Sequence, residues 1–226
     1  MPEWSSDAEL FELSRRELYT AVVGDICDQM GLRRQFLNPQ LRPLHSGLDT
    51  PVMVGRAMTV WEADVFEEPT EGPPFGKMLA ALDDLQPNEV YVCAGASPRY
   101  ALIGELMCTA MLAAGAVGAV CDGYIRDAKG ILQLNFPVYS LGPYAQDQRG
   151  RGTVLDYRVP IEIYSIRIQP GDIIMSDIDG VLVVPRAAEE ELFTRALTKA
   201  RAEKTVQQAL RAGMKASVAF EQYGIL

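Results

Sequence analysis

The stretch from Val117 to Asp127 reads VGAVCDGYIRD and places a short apolar run directly before a dense polar cluster. Residues 117–121 have the length and composition of a buried strand. Polar groups that follow a core strand of an α/β sheet lie where ligands usually bind. Two interpretations of Arg126 and Asp127 stay open: a pair that stabilises a turn, or a metal-ligating aspartate beside an arginine for an anionic substrate.

The segments before this stretch predict a strand and a helix. Residues 89–94 are rich in β-forming side chains, and residues 104–114 follow as a helix that Gly115 ends. In a right-handed β-α-β unit, the start of the helix and the end of the next strand share one edge of the sheet. We therefore expect Glu105 to lie near Arg126. Glu105 could simply complement the helix dipole, but the backbone amides of Glu105, Leu106 and Met107 could also bind a carboxylate or enolate oxygen.

The rest of the chain fits a single α/β domain over residues 1–226, with helices flanking the sheet at both termini. No internal repeat or linker is visible. Loops are predicted at 34–51, 64–76, 95–101 and 142–153. The other predicted elements are helices at 7–17, 20–30, 78–85, 187–212 and 216–223, and strands at 52–61, 136–141, 159–168 and 173–184, the last with a hairpin signal at Asp179-Gly180.

Composition removes several classes of function. The chain has 226 residues and a single histidine, His45, which excludes His-rich zinc sites and lies in a Pro/Leu loop typical of a structural residue. The net charge of −9 disfavours direct binding of nucleic acid. The short Arg149-Gly150-Arg151 stretch is either a solvated loop or a binding patch. Carboxylates and cations must therefore carry any polar chemistry.

Cysteine usage and hydropathy indicate that the protein is located in the cytoplasm. The four cysteines lie far apart and form no C-x-x-C pair, and three of them lie in apolar runs, as buried free thiols do. The sequence shows no secretory signal and no apolar run long enough to cross a membrane. We expect a cytoplasmic protein without a membrane partner.

Glu203 is a third candidate, on the helix predicted at 187–212. It falls on the same arc as the apolar residues Leu192, Ala196, Val206 and Leu210, and Lys199 lies one turn earlier on that arc. The two charges could form an ordinary pair with their head groups in solvent. Alternatively, they face a neighbouring subunit.

Five segments together resemble the RraA-like family. They are GELM (104–107), GAVCDGYIRD (118–127), FPV (136–138), PGD (170–172) and DIDGVLVVP (177–185). This family contains the metal-dependent 4-hydroxy-4-methyl-2-oxoglutarate / 4-carboxy-4-hydroxy-2-oxoadipate aldolases and the regulator of ribonuclease E activity. The aldolase signature is an acid, twenty residues and then Arg-Asp, and the spacing from Glu105 to Arg126-Asp127 reproduces it. The resemblance extends from about residue 15 to residue 223.

The resemblance implies a fold and a site. The fold would be an α/β sandwich related to the swivelling phosphohistidine domain, assembled as a homotrimer or hexamer with sites between subunits. Asp127 would ligate Mg²⁺ or Mn²⁺, and Glu105 would contact this ion through water. Glu203 of a neighbouring subunit would also contact it through water. Arg126 and the backbone of Gly104, Leu106 and Met107 would bind the substrate.

The activity implied is that of a class II pyruvate aldolase. Such a lyase cleaves a small 4-hydroxy-2-oxo acid to pyruvate, and oxaloacetate decarboxylation is an expected side activity. The alternative is a non-catalytic regulator that binds a protein, as the ribonuclease E regulator does. Two departures concern the substrate pocket: Glu105 stands where the aldolases usually have Asp, and Gly130 stands where many members have an acid.

Overall fold

The computed structural model describes residues 2–45, 50–67 and 72–225. None of the helices within these ranges is long and apolar enough to cross a membrane. The α-helices are Asp7–Glu17 (α1), Thr20–Gln29 (α2), Met78–Asp83 (α3), Glu105–Ala113 (α4), Ala128–Leu134 (α5), Glu189–Arg211 (α6) and Ala216–Tyr223 (α7). The strands are Arg42–Pro43 (β1), Met53–Asp64 (β2), Glu89–Ala94 (β3), Ala101–Ile103 (β4), Gly118–Cys121 (β5), Tyr124–Ile125 (β6), Val138–Ser140 (β7), Gly152–Tyr157 (β8), Ile161–Ile163 (β9), Ile166–Ile168 (β10), Ile173–Asp177 (β11) and Gly180–Val184 (β12).

A mixed sheet of eight strands forms the centre of the fold. Its order is β1-β7-β5-β3-β2-β11-β12, and β8 also pairs with β2. Strands β2, β3, β5 and β7 run parallel, whereas β1, β8, β11 and β12 pair antiparallel with their neighbours. The long strand β2 pairs with β11 along its first half and with β8 along its second half. The parallel strands therefore deliver their carboxyl ends to one edge of the sheet, as the β-α-β pattern predicts.

The connection from β3 to β5 positions the candidate site. It contains β4 and α4, and β6 follows β5 directly. Strands β4 and β6 pair in parallel, with Ala101 opposite Tyr124 and Ile103 opposite Ile125. This small sheet places the start of α4 beside the turn that links β6 to α5. Segments that are 22 residues apart in sequence thus meet through a short strand pair.

Hydrophobic clusters cover both faces of the sheet: the helices pack on one face, and the β9–β10 hairpin packs on the other together with Leu37 and Leu41. Helices α3, α4 and α5 contribute buried side chains such as Leu82, Met111 and Ile131 to one cluster. Helices α1, α2 and α6 pack against β11 and β12, with Phe11 and Phe193 fully buried. The four cysteines are buried and free, which confirms their interpretation as core thiols.

The helices predicted from a clear periodic pattern are confirmed, whereas several strands and one short helix without such a pattern were not predicted. Helices predicted at 7–17, 20–30, 78–85, 104–114, 187–212 and 216–223 all form, with ends within two residues. The elements β1, β4, β6, β8 and α5 were missed. Their formation depends on pairing with distant segments, which leaves little trace in a short sequence window.

The prediction of one strand over 159–168 is wrong. Tyr164 and Ser165 have φ of 51° and 64°, and this left-handed turn folds the segment into the β9–β10 hairpin. The hairpin expected near Asp179-Gly180 is confirmed, because Asp177 pairs with Gly180 across β11 and β12. The Asp177 carboxylate accepts hydrogen bonds from the backbone and hydroxyl of Thr20 at the start of α2.

Candidate active site

The Arg126–Asp127 turn lies between β6 and α5. Asp127 is the residue before the first turn of α5, and its φ of 57° and ψ of 35° place it in the left-handed region. Aspartate tolerates this conformation better than most side chains. The backbone N–H of Arg126 donates to the carbonyl of Ile103 at 2.9 Å, which fixes the turn against β4. Both side chains are therefore held where β4 leads into α4.

Helix α4 begins directly beside the Asp127 carboxylate. The backbone N–H of Glu105 lies 3.4 Å from Oδ2 of Asp127. Gly104 precedes the helix, and a Cβ at this position would come within 2.8 Å of the same oxygen. A side chain at this position would therefore require the Asp127 carboxylate to shift. The first-turn amides of Leu106 and Met107 have no intrahelical acceptor, so they can bind an anion.

Arg126 is only loosely paired. Its Nε lies 3.7 Å from Oδ2 of Asp127, and its Nη1 lies 3.6 Å from Oδ1 of Asp147. These separations exceed the 2.7–2.9 Å or so typical of a charge-assisted hydrogen bond. The three side chains are between 40% and 44% exposed. The guanidinium group therefore keeps donors for a bound anion.

Glu105 lies over the first turn of α5. A Cβ built on Gly130 would come within 2.1 Å of Oε2 of Glu105 and 2.2 Å of its Cδ. The absence of a side chain at Gly130 thus makes room for the Glu105 carboxyl group. As the sequence predicts, Glu105 and the Arg126–Asp127 turn come together.

The Arg126–Asp127 turn and the start of α4 border a pocket of about 340 Å³, whereas Glu105 is not among its lining residues. Two features of this pocket were not predicted from the sequence. One is its apolar wall, which consists of the apolar lining residues given below, and the other is the presence of residues from the 143–151 segment in the lining. The polar lining residues are Arg126, Asp127, Asp147 and Gln148. The apolar ones are Phe75, Met78, Leu79, Leu82, Ala101, Leu102, Ile103, Leu106, Met107 and Ala110. Gly104 completes the lining.

Gln148 links the pocket to a buried carboxyl group. Its Nε2 donates to Oε2 of Glu62 at 2.5 Å, and both residues are buried. Burial raises the pKa of Glu62 to about 8, and the Gln148 amide and the Cys93 thiol oppose this shift only in part. Glu62 is therefore mostly protonated at neutral pH. The residue gave no signal in the sequence because the predicted strand ended at Trp61.

Glu203 lies outside this pocket within the described chain. Its Oε1 is 3.4 Å from Nζ of Lys199, and its Oε2 accepts a hydrogen bond from the Tyr19 hydroxyl. The Lys199–Glu203 pair expected on one helix face is thus present, although both side chains are only 20–25% exposed. The burial of Tyr19 and its bond to Glu203 raise the pKa of that tyrosine. A contribution of Glu203 to a neighbouring subunit stays a prediction.

The donor set suits a hard cation that retains much of its water shell. No group of three or more His, Cys, Asp or Glu side chains able to hold a metal occurs within residues 2–45, 50–67 and 72–225. Asp127 supplies carboxylate oxygens at the pocket, and the Glu105 carboxyl group lies over the adjacent first turn of α5. Mg²⁺ commonly binds proteins through one or two carboxylates and keeps several waters. The residues present fit such an ion.

Three comparisons relate the chain to known proteins. It is 30% identical over 209 residues to a Halalkalibacterium halodurans protein provisionally named a 4-hydroxy-4-methyl-2-oxoglutarate aldolase, covering 91% of both chains. It is 25% identical over 205 residues to Protein DlpA of Legionella pneumophila, covering 90% of this chain but only 32% of DlpA. The crystal structure of Streptomyces coelicolor RraAS2, described as an unusual member of the RNase ES inhibitor RraA family, superposes with a TM-score of 0.77. The two share 25% identity over 91% of this chain and 99% of that one.

The family model described as Aldolase/RraA matches residues 20–183. The chain therefore belongs to the RraA-like family, as its motifs indicated. The matched region contains the start of α4, the Arg126–Asp127 turn and Gly130. It ends before α6, so Glu203 lies outside it.

Proposed function

We propose that the protein is a divalent-metal-dependent lyase that cleaves a small 4-hydroxy-2-oxo acid to pyruvate. One observation carries this proposal: the Arg126–Asp127 turn and the free amides of α4 converge on one pocket. The provisional aldolase name of the Halalkalibacterium relative supports it. We also propose a cytoplasmic homotrimer or hexamer, in which Glu203 of one subunit completes the site of the next through water.

The pocket residues and the neighbouring Glu105 each have a defined task in this reaction. The amides of Leu106 and Met107, with the backbone of Gly104, bind the substrate carboxylate at the positive end of α4. When the C3–C4 bond breaks, its electron pair forms the enolate of pyruvate. Arg126 stabilises the negative charge on the enolate oxygen. Glu105 orients the water that takes the proton from the 4-hydroxyl group, and C4 becomes a carbonyl carbon.

Asp127 would hold Mg²⁺ or Mn²⁺, with Glu105 in contact through water. A bound divalent ion would polarise the 2-oxo group as a Lewis acid. Oxaloacetate would lose CO₂ through the same enolate, so slow decarboxylation is an expected side activity.

Pyruvate release tests this function. The protein is incubated with 4-hydroxy-4-methyl-2-oxoglutarate or oxaloacetate, with Mg²⁺ or with a chelator, and pyruvate is followed by coupled lactate dehydrogenase. Asp127→Asn removes the charge while keeping a side chain that tolerates φ of 57°. We expect at least a hundredfold loss of activity. Asp179→Ala, in the exposed β11–β12 turn, serves as the control and should retain full activity. Equal turnover by Asp127→Asn and the wild type would remove Asp127 from the mechanism.

The structural similarity to RraAS2 supports a second candidate, a regulator that binds an enzyme of the ribonuclease E type. Adding the protein to a ribonuclease E assay separates the two proposals. Slower RNA cleavage, together with no metal-dependent pyruvate from any tested substrate, would favour the regulator. A regulator acting through other surfaces should also be indifferent to Asp127→Asn.

A further inference from the structure

The lining of the Arg126 pocket divides into two chemical regions. The polar groups belong to the Arg126–Asp127 turn and to Asp147 and Gln148. Another part of the lining comes from Phe75 and from Met78, Leu79 and Leu82 of α3, which are all apolar. A ligand that holds the guanidinium group at one end therefore meets hydrocarbon at the other.

The charges in the pocket favour a ligand with one carboxylate. Among the described lining residues, Arg126 is the only cation, whereas Asp127 and Asp147 are anions. Lys77, which directly precedes α3, is paired with Asp156 at 2.7 Å and does not line the pocket. A second carboxylate placed against the apolar side chains would lose its hydration without meeting a cationic side chain of the described lining, which is unfavourable.

The apolar wall is available to a ligand within this chain. Leu79 is 57% exposed and Leu106 is 84% exposed, so hydrocarbon lies at the mouth of the pocket. Burying an apolar tail against such side chains is favourable in proportion to the area removed from water. The pocket of about 340 Å³ lies at the small end of the range for ligand sites and suits a short tail.

We infer that the substrate is a monocarboxylic 4-hydroxy-2-oxo acid with an aliphatic or aromatic group on C4. This inference rests on the proposed function and makes it more specific. Breaking the C3–C4 bond releases the hydroxyl proton and leaves C4 as the carbonyl of an apolar aldehyde. The electron pair forms the enolate, which takes a proton at C3 to give pyruvate. The reaction needs no oxidant or reductant.

Matched substrates test the inference. The wild type is assayed with Mg²⁺ on 4-hydroxy-2-oxoheptanoate and on 4-hydroxy-2-oxoglutarate, which differ at C4 by a propyl group against a carboxylate. We expect kcat/KM to be at least tenfold higher for the heptanoate, because the apolar wall binds its tail. Equal values, or a preference for the dicarboxylate, would overturn the inference and leave the proposed function standing. No pyruvate from either compound or from 4-hydroxy-4-methyl-2-oxoglutarate would overturn both.

Two variants test whether the apolar lining residues cause the preference for the monocarboxylic substrate. Leu79→Arg adds a cation at an exposed position of α3 that lines the pocket, so folding should be unaffected. We expect the ratio of kcat/KM values to shift at least fivefold towards the dicarboxylate. Leu112→Arg is the matched control, because Leu112 is 45% exposed on α4 and does not line the pocket. An unchanged ratio in Leu79→Arg, or an equal shift in Leu112→Arg, would show that the wall does not select the tail.

Discussion

Replacing Glu62 with glutamine should make the protein less sensitive to alkaline pH. Glu62 is 1% exposed, and its Oε1 has no hydrogen-bond partner among the described residues. Burial raises the pKa of this carboxyl group to about 8 from its usual 4.5. A glutamine would keep an oxygen acceptor for the Gln148 amide and could not ionise. The variant thus removes one titration and little else.

The size and sign of the effect follow from the two pKa values. Between pH 4.5 and pH 8 the folded chain holds a proton on Glu62 that the unfolded chain has released. Stability therefore falls as pH rises through this window, by at most about 1.4 kcal/mol per pH unit. Integrated from pH 5 to pH 8, the loss is about 3–4 kcal/mol as an order of magnitude. The Glu62→Gln variant should not show this loss of stability.

Urea unfolding of both proteins at pH 5, 6.5 and 8 measures this difference. All other titrating groups are shared, so they cancel when the wild-type free energy of unfolding is subtracted from that of the variant. This difference should rise steadily with pH. Glu12→Gln, at an exposed position of α1, is the control and should show no trend. A change in the Glu62→Gln difference of less than about 1 kcal/mol between pH 5 and pH 8 would refute a strongly raised pKa.

Two further predictions concern named contacts. Gly130→Ala should displace the Glu105 carboxyl group and lower pyruvate release at least tenfold. Adding Glu105→Asp should restore part of the activity, because the shorter side chain leaves room for the new methyl group. If the double variant were no more active than Gly130→Ala, this account would be contradicted. Asp177→Ala should lower the free energy of unfolding by about 1–3 kcal/mol, because the N–H and hydroxyl of Thr20 lose their acceptor, and thermal or urea unfolding against Asp179→Ala measures the loss.

The sequence predicted the part of the site that depends on local pattern and handedness. The β-α-β rule placed Glu105 beside Arg126, and both lie at the same edge of the sheet. Gln148 could not be found in this way, because the 142–153 segment has no periodicity. Its position depends on distant backbone bonds, such as that from Ala101 to Gln146 and that from Tyr144 to Ile125. Tertiary contacts of this kind are invisible in a single sequence.

The two departures from the aldolase pattern form one spatial feature. Glu105 is one methylene longer than the aspartate usual in the aldolases, and Gly130 lacks the acid that many family members carry. In the structure the longer side chain lies in the space that an acid at position 130 would need. The chain therefore has one carboxylate fewer than a family member with both acids, and the Glu105 carboxyl group fills the space beside Gly130. The pocket lining, which is mostly apolar, is where we expect this protein to differ from relatives named for a dicarboxylic substrate.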